Sequence, residues 1–376
     1  MKIKRVSYCD KALEWQFEPI EFSNLALLVG VSGVGKTQTL EGIFNLRKIA
    51  NGESLKGVSW DIEFTVDDIE YKWQGEFGRG YHQLSLFGDE DSEEHPLDNK
   101  FEIVNEYLWA KEQIIIERED NIIKFQGEKT PKLSPFKSAI ELFNQEEDIA
   151  PVQKGFNQII YSIDQSVNKV YRIPPYLLLK DSLSLEEIQK IDAPTLIKLA
   201  LVYYHLPQVF QKIKEHFINI FIQVEDIKFD ALKNVKKTVF SDAPPRSIFL
   251  KEKGVQHFIP QYRISSGMFK TLMYISEIYL YPEGTVILID EFENSLGVNC
   301  IDIVTDLLME KRNLQFILTS HHPYIINKIG MEYWKIVTRK GGVVTVKDAK
   351  SFNLGKTRHQ AFTQLINLEE YTEGIS

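Results

Sequence analysis

A glycine-rich segment at Gly30–Thr37 constrains this 376-residue chain more than any other feature. It reads Gly-Val-Ser-Gly-Val-Gly-Lys-Thr, follows the apolar run Leu25–Val29 and precedes apolar residues at helical spacing from Lys36 onward. This is the full phosphate-loop pattern in its required setting, between a buried strand and a helix. In such a loop, backbone N–H groups wrap phosphates, the lysine reaches the outer phosphates and the threonine hydroxyl ligates Mg²⁺. The predicted nucleotide-binding residues are Gly30, Ser32, Gly33, Val34, Gly35, Lys36, Thr37 and Gln38.

Two adjacent carboxylates, Asp290 and Glu291, end a second buried strand at Thr285–Ile289. A buried strand that ends in this way fits a Walker B motif, in which one carboxylate enters the Mg²⁺ shell and the other activates water. On its own, the pair also fits an acidic helix cap. Because the phosphate loop is present, the sequence predicts Thr37 and Asp290 as metal ligands and Glu291 as a catalytic residue.

Two further segments complete an ordered set of motifs. Ser265–Gly267 opens a predicted helix shortly before the Walker B strand, and His321 follows a third buried strand at Gln315–Leu318. Taken alone, the first is an ordinary helix cap and the second an ordinary strand end. The four motifs in this order resemble ABC-type ATPases of the branch that includes chromosome-maintenance and break-repair ATPases and the overcoming-lysogenization-defect family. The similarity covers roughly residues 1–75 and 245–340.

The resemblance implies an α/β ABC-ATPase head, a P-loop NTPase with a mixed sheet and flanking helices. It implies ATP and Mg²⁺ as cofactors, with Ser265 and Gly267 as the signature that meets a γ-phosphate and His321 as the switch histidine; His322 is the alternative. Two heads are expected to pair head-to-tail, each nucleotide lying between one phosphate loop and the other chain's signature. The protein is therefore expected to be a homodimer or a higher homo-oligomer.

The chain departs from the family pattern at several points. Ser266 stands where the signature usually has glycine, and Met268 where it has glutamine. After Leu296, Gly297–Val298 replaces the usual histidine. The Q-loop glutamine is left open among Gln74, Gln83, Gln113 and Gln153.

Along the chain, the sequence predicts three parts. Residues 1–130 form an N-terminal lobe of the head, residues 131–242 a mostly helical insertion, and residues 243–376 a C-terminal lobe. In the first part, Trp60–Val66 and Ile69–Phe77 are predicted to form a hairpin. The insertion carries apolar residues predicted to pack as core: Leu183, Ile188, Ile191, Leu196, Leu199, Val202 and Tyr203.

Composition and charge exclude some classes of binding partner. The formal net charge of −9 argues against a protein that coats DNA, since phosphate neutralisation needs concentrated Lys and Arg. The acidic run Gly88–Glu94 is predicted to be a solvated loop or linker. No apolar run is long enough for a bilayer and no secretory signal is visible, so we expect a cytoplasmic protein without a membrane partner. A basic cluster in the insertion fits binding of DNA or of an acidic protein, and it equally fits a solvated lysine face: Lys212, Lys214, Lys233, Lys236 and Lys237.

The leading functional hypothesis is an ATPase whose nucleotide-dependent dimer state controls a separately encoded, nuclease-like effector in antiphage defence. The residues after His321 contain no Asp-x-Asp pair, so no TOPRIM nuclease domain is predicted there. A DNA-repair or chromosome ATPase is the alternative, although residues 131–240 lack the sustained heptads of a coiled-coil arm. A transporter ATPase fits less well, because it would have a compact head and a signature near consensus.

Overall fold

The computed structural model describes residues 1–78, 100–162, 171–180, 182–231, 246–294, 296–310, 313–355 and 357–374. The chain forms two compact units. The first consists of Met1–Tyr161, Gly284–Glu291 and Asn313–Ser376, and the second of Ser162–Glu283 and Phe292–Arg312. The predicted division at residues 130 and 242 stays a prediction.

The secondary structure alternates strands and helices at both ends of the chain. The strands are β1 (Lys2–Asp10), β2 (Trp15–Glu21), β3 (Leu25–Val29), β4 (Val58–Val66), β5 (Ile69–Phe77), β6 (Ile103–Ala110), β7 (Gln113–Glu119), β8 (Ile122–Phe125), β9 (Glu128–Lys129), β10 (Ile159–Tyr161), β11 (Val224–Ala231), β12 (Arg246–Glu252), β13 (Ile259–Pro260), β14 (Val286–Ile289), β15 (Gln315–Thr319), β16 (Trp334–Lys340) and β17 (Val343–Asp348). The α-helices are α1 (Lys36–Ala50), α2 (Ala139–Leu142), α3 (Ala150–Asn157), α4 (Pro175–Leu179), α5 (Leu185–Lys190), α6 (Thr195–His205), α7 (Pro207–Ile220), α8 (Ser266–Leu280), α9 (Val298–Met309), α10 (Pro323–Lys328), α11 (Arg358–Leu365) and α12 (Glu369–Thr372). Short 3₁₀ turns lie at Gln261–Arg263, Met331–Tyr333 and Ala349–Phe352.

One large mixed sheet organises the first unit. Its strand order is β10-β14-β15-β3-β16-β17-β2-β1-β4-β5-β6-β7-β8-β9. From β10 to β16 all neighbouring strands are parallel, and every residue of β3, β14 and β15 is buried. Strands buried on both faces read as continuous apolar runs, which is why the sequence predicted these three.

The other half of this sheet is largely antiparallel. β4 and β5 pair through a turn at Asp67 and Asp68, both with positive φ, and this confirms the predicted hairpin. β4 buries every second residue, so one face carries Trp60, Ile62 and Phe64 into the core. Helix α3 covers that face, where the Phe156 ring packs edge-on against Phe64 and Trp73.

The structure departs from the sequence pattern at three places. The apolar spacing over Val152–Ile160 reads as helix, yet α3 ends at Asn157 and Ile159–Tyr161 becomes β10, because these residues extend the parallel sheet beside β14. The apolar stretch Thr195–Phe221 is divided at Leu206, since the following proline lacks an N–H and disfavours helical backbone before it. The insertion also contains β11, which pairs with β12.

The second unit packs α6, α7 and α8 together and carries the small sheet β11-β12-β13. Of the residues predicted to form its core, Leu183, Ile188, Leu196, Leu199 and Val202 are buried, whereas Ile191 and Tyr203 are half-buried. Within the described residues, no helix is long and apolar enough to cross a membrane.

Candidate functional site

The carboxyl ends of three neighbouring parallel strands bring the predicted site together. β15 lies between β14 and β3, with Leu318 in register with Ile289 on one side and with Leu27 on the other. The residues that follow each strand are therefore adjacent in space, although they are far apart in sequence. The carboxyl edge of an open parallel sheet is where α/β proteins place their ligands.

The loop between β3 and α1 has the backbone of an anion-binding turn. Gly30, Gly33 and Gly35 have φ of 154°, 87° and 100°, a region that favours glycine. A Cβ at Gly30 would lie 2.6 Å from the Val337 carbonyl oxygen of β16, so only glycine fits there. The loop ends at the start of α1, a 15-residue helix whose N-terminal N–H groups and dipole favour anions.

Lys36 is the first residue of α1 and is almost fully buried. Its Nζ donates hydrogen bonds of 2.7 Å to the carbonyl oxygens of Gly30 and Val31. These contacts fix the ammonium group inside the loop, where the predicted phosphates would lie. By contrast, Ser32 and Gly33 at the tip of the loop are exposed.

A hydrogen-bonded network joins the loop to the two carboxylate residues. The Thr37 hydroxyl donates to Asp290 Oδ2 at 2.8 Å, and the Thr319 hydroxyl donates to Asp290 Oδ1 at 2.6 Å. The backbone N–H of Glu291 donates to the same Thr319 Oγ1 at 2.8 Å. The Glu291 side chain is exposed, whereas Thr319 is fully buried.

The oxygens of Thr37 and Asp290 fit a Mg²⁺ ion. Neighbouring ligands of octahedral Mg²⁺, at about 2.1 Å from the metal, lie about 3 Å apart. The observed separation of 2.8 Å is close to this value, and both atoms are the hard oxygen donors that Mg²⁺ prefers. Among the described residues there is no group of three or more His, Cys, Asp or Glu that could hold a metal. Mg²⁺ usually keeps several waters and binds substrate phosphates, which would supply the remaining ligands of an ion held by Thr37 and Asp290.

Two residues beside the network were not predicted from the sequence. Arg339, at the end of β16, donates from Nη1 to Gln38 Oε1 at 3.1 Å, and its backbone N–H donates to the Gly374 carbonyl at 2.7 Å. Tyr161, the last residue of β10, is half-buried, and loss of solvation raises its pKa well above the ordinary value; the negative charges of Asp290 and Glu41 add to this rise. Its phenol therefore stays protonated at neutral pH.

The signature candidate lies in the second unit. Ser265 is the N-cap of α8, and its hydroxyl accepts a hydrogen bond of 3.2 Å from the Met268 N–H. The Gly267 carbonyl accepts one of 2.7 Å from the Thr271 hydroxyl. Ser265 and Ser266 are exposed at the N-terminus of this 15-residue helix. The helix-cap role is thus observed, and contact with a phosphate stays a prediction.

The two candidate histidines occupy different local settings. His322 caps α10, since its Nδ1 accepts a hydrogen bond of 3.2 Å from the Tyr324 N–H. His321 lies one residue nearer to β15, just after the buried Ser320. A capping role accounts for His322 without any ligand. His321 therefore remains the better candidate for the predicted switch histidine.

Comparison with known proteins decides the family. A family profile described as "AAA domain, putative AbiEii toxin, Type IV TA system" matches residues 25–327. The chain belongs to this family. No curated protein matches the chain.

Two solved structures are similar to this chain, and the first of them shows the fold. The chain is similar to the structure described as "Crystal structure of the SmcHead bound to the C-winged helix domain of ScpA", with 13% identity, 92% of this chain and 97% of that chain covered, and a TM-score of 0.52. The SMC head domain from Thermotoga maritima has 13% identity, 93% and 99% coverage and a TM-score of 0.43. The fold is that of a P-loop ATPase head of the SMC and ABC type, as the sequence predicted. The narrower resemblance to the overcoming-lysogenization-defect branch stays a prediction.

Thr319 was not predicted as a site residue of this AAA-domain family member. It lies between the predicted strand Gln315–Leu318 and His321, and a hydroxyl residue at the carboxyl end of a buried parallel strand was the available signal. The Q-loop glutamine is still open: Gln74 lies in β5, Gln113 in β7 and Gln153 in α3, where it bonds to Glu141 and Ala50. Gln83 lies outside the described residues, as do Gly88–Glu94 and the lysines at positions 233, 236 and 237.

Proposed function

We propose that this protein binds ATP with Mg²⁺ and hydrolyses the bond between the β- and γ-phosphates. The observation that carries the proposal is the network in which Thr37, Asp290 and Thr319 are joined by two short hydrogen bonds at the end of the phosphate loop. The proposal is supported by two oxygen atoms of the kind that Mg²⁺ prefers beside a loop suited to phosphates. The neighbouring Glu291 supplies the carboxylate that activates water.

Each residue has a separate task in this proposal. The loop N–H groups and Lys36 hold the phosphates and offset their charge, while Gln38, fixed by Arg339, borders the nucleotide. Glu291 accepts a proton from the attacking water, and His321 contacts the γ-phosphate. When bound, Mg²⁺ supplies charge neutralisation at the phosphates.

The proposed assembly pairs two heads. Ser265 and Gly267 of one chain complete the site formed by the phosphate loop of the other, because the exposed N-terminus of α8 offers N–H groups and a favourable dipole to a γ-phosphate. The paired state then controls a separately encoded effector in antiphage defence. The family description, a putative toxin of a toxin–antitoxin system, supports a protein that acts together with a second gene product.

Action on DNA is the alternative, and the described part of the insertion gives it little support. Lys214 forms an ion pair with Asp226 at 2.5 Å, so its charge is already compensated. Three of the five lysines in the proposed basic cluster lie outside the described residues. An ATPase that controls an effector is the first function we propose, and action on DNA is the second candidate.

Two substitutions separate binding from hydrolysis. Lys36→Ala is expected to weaken binding of a fluorescent ATP analogue by about tenfold or more, because a buried charged hydrogen-bond donor to phosphate is lost. Glu291→Gln is expected to keep affinity within about threefold but to lower hydrolysis by about 100-fold or more, since only general-base catalysis is removed. Analogue titration and phosphate release measure the two effects.

Lys48→Ala is the matched control, because Lys48 lies on the same helix and donates to Asn45 rather than into the loop. It should behave like the wild type in both assays. Normal nucleotide affinity in Lys36→Ala would contradict the phosphate-loop assignment. In cells that carry the chain with its neighbouring genes, Lys36→Ala should abolish any protection from phage; protection equal to wild type would contradict nucleotide control of an effector.

A further inference from the structure

One side chain, Thr319, contacts both of the adjacent residues proposed to carry the chemistry. Thr319 is the last residue of β15 and is fully buried. Its hydroxyl donates to Asp290 Oδ1 at 2.6 Å and accepts the Glu291 N–H at 2.8 Å. A hydroxyl has one donor and two acceptor lone pairs, so it can make both bonds at once.

The hydrogen bond from Thr319 to Asp290 fixes the orientation of the Asp290 carboxylate group. With Oδ1 bound to Thr319 and Oδ2 bound to Thr37, rotation of the carboxylate group is restricted from both sides. Oδ2 is thereby kept beside the hydroxyl that would share the metal. Partners that orient a metal ligand in this way change metal affinity or activity by about 10–100-fold when they are removed.

The bond to Glu291 acts on the backbone. Glu291 has φ of 46°, in the left-handed region that non-glycine residues rarely adopt because it is sterically strained. Its N–H is fixed by Thr319, so the direction in which the Glu291 side chain leaves β14 depends on a hydroxyl of the neighbouring strand. Register between β14 and β15 brings the two together, since Ile289 is paired with Leu318.

We propose that Thr319 is a positioning residue that sets both the metal-facing oxygen of Asp290 and the exit direction of Glu291. It does not touch substrate; it acts through these two residues. The inference rests on the proposed function, in which Asp290 holds Mg²⁺ and Glu291 activates water. It adds that one buried hydroxyl couples the two tasks, so that metal binding and water activation depend on the same group.

Three variants test this. Thr319→Val keeps the shape and removes both hydrogen bonds, and Thr319→Ser keeps the hydroxyl. Thr338→Val removes a buried hydroxyl of β16 that donates to the Thr345 carbonyl in β17. Two readouts are used: the affinity for Mn²⁺, measured by electron paramagnetic resonance with a non-hydrolysable ATP analogue, and the kcat for ATP as a function of free Mg²⁺. Thermal unfolding verifies that each variant is folded.

Thr319→Val is expected to weaken Mn²⁺ binding and to lower kcat, each by about 10–100-fold. Thr319→Ser should stay within about threefold of wild type, and Thr338→Val should match it. Wild-type Mn²⁺ affinity and kcat in Thr319→Val would overturn the proposal, as would a serine variant as impaired as the valine. If the wild type binds nucleotide and Mn²⁺ without hydrolysis, the proposed activity fails, while the Mn²⁺ readout still decides the role of Thr319.

Discussion

Lys198 in the second unit is a charged residue that is buried among apolar neighbours. It lies on α6 among the apolar residues Leu196, Leu199 and Val202, and only 4% of its surface is exposed. Its Nζ donates to the Gln189 carbonyl at 2.8 Å and lies 5.0 Å from the centre of the Tyr281 ring. Burial lowers the pKa of the Lys198 ammonium to about 8, although the negative charge of Asp192 opposes this.

This pKa makes stability depend on pH. Between pH 8 and the ordinary lysine value of 10.5, the unfolded chain binds more protons at this site than the folded chain, so the free energy of unfolding rises with pH in that window. Between pH 8 and about 9.5, the wild type should gain about 1–2 kcal/mol relative to Lys198→Met, as measured by urea unfolding. The exposed Lys190→Met is the control and should follow the wild type. Parallel pH profiles for wild type and Lys198→Met would contradict the prediction.

At the scale of elements, a buried ion pair ties the antiparallel strands to the start of the predicted insertion. Glu106 of β6 and Arg118 of β7 lie 3.4 Å apart with almost no exposure. Glu106 accepts hydrogen bonds from Trp73 Nε1 and the Ala139 N–H, and Arg118 donates to the backbone carbonyls of residues 134 and 137. Burial raises the pKa of Glu106, while the Arg118 charge and the N–H donors oppose that rise. The pair thereby fixes residues 134–139 against three strands.

Glu106→Gln should lower the free energy of unfolding by about 3–5 kcal/mol, because it leaves the Arg118 guanidinium buried without its counter-charge. Glu63→Gln, which breaks the half-exposed pair with Arg5 at 3.2 Å, should cost less than about 1 kcal/mol. Chemical unfolding measures both. Equal losses for the two variants would indicate that the Glu106 carboxyl is protonated, against the prediction.

At the scale of the whole molecule, the proposed head-to-tail pair divides each ATP site between two chains. The phosphate loop lies in one compact unit and Ser265 in the other. In the proposed pair, a chain with a defective phosphate loop still has an intact signature to complete its partner's site, and the reverse also holds. This organisation predicts complementation between two inactive variants.

Equal amounts of Lys36→Ala and Ser265→Arg chains, each inactive alone, should together recover about one quarter of wild-type ATPase activity. Random pairing makes half of the dimers mixed, and each mixed dimer has one intact site of two. Phosphate release from the mixture, compared with each variant alone, measures this. No recovery, together with wild-type activity strictly proportional to concentration, would rule out shared sites.

The sequence alone was sufficient for the strand, loop and helix that surround Gly30–Thr37 and for the strand that precedes Asp290. These elements follow from local rules: apolar runs for strands buried on both faces, glycines for the loop, and helical spacing from Lys36. The hairpin at Asp67 was predictable for the same reason, since its turn chemistry lies within a few residues. Their roles in binding and catalysis stay predictions.

Only the tertiary structure decided which residues meet. Thr37 and Asp290 are 253 residues apart, and Thr319 bonds to Asp290 because β15 pairs beside β14 in one particular register. Likewise, Ile159–Tyr161 forms a strand because it pairs in parallel with the edge of β14. Strand order and register between distant segments arise from packing and loop closure across the whole chain. A pattern of neighbouring residues therefore does not predict them.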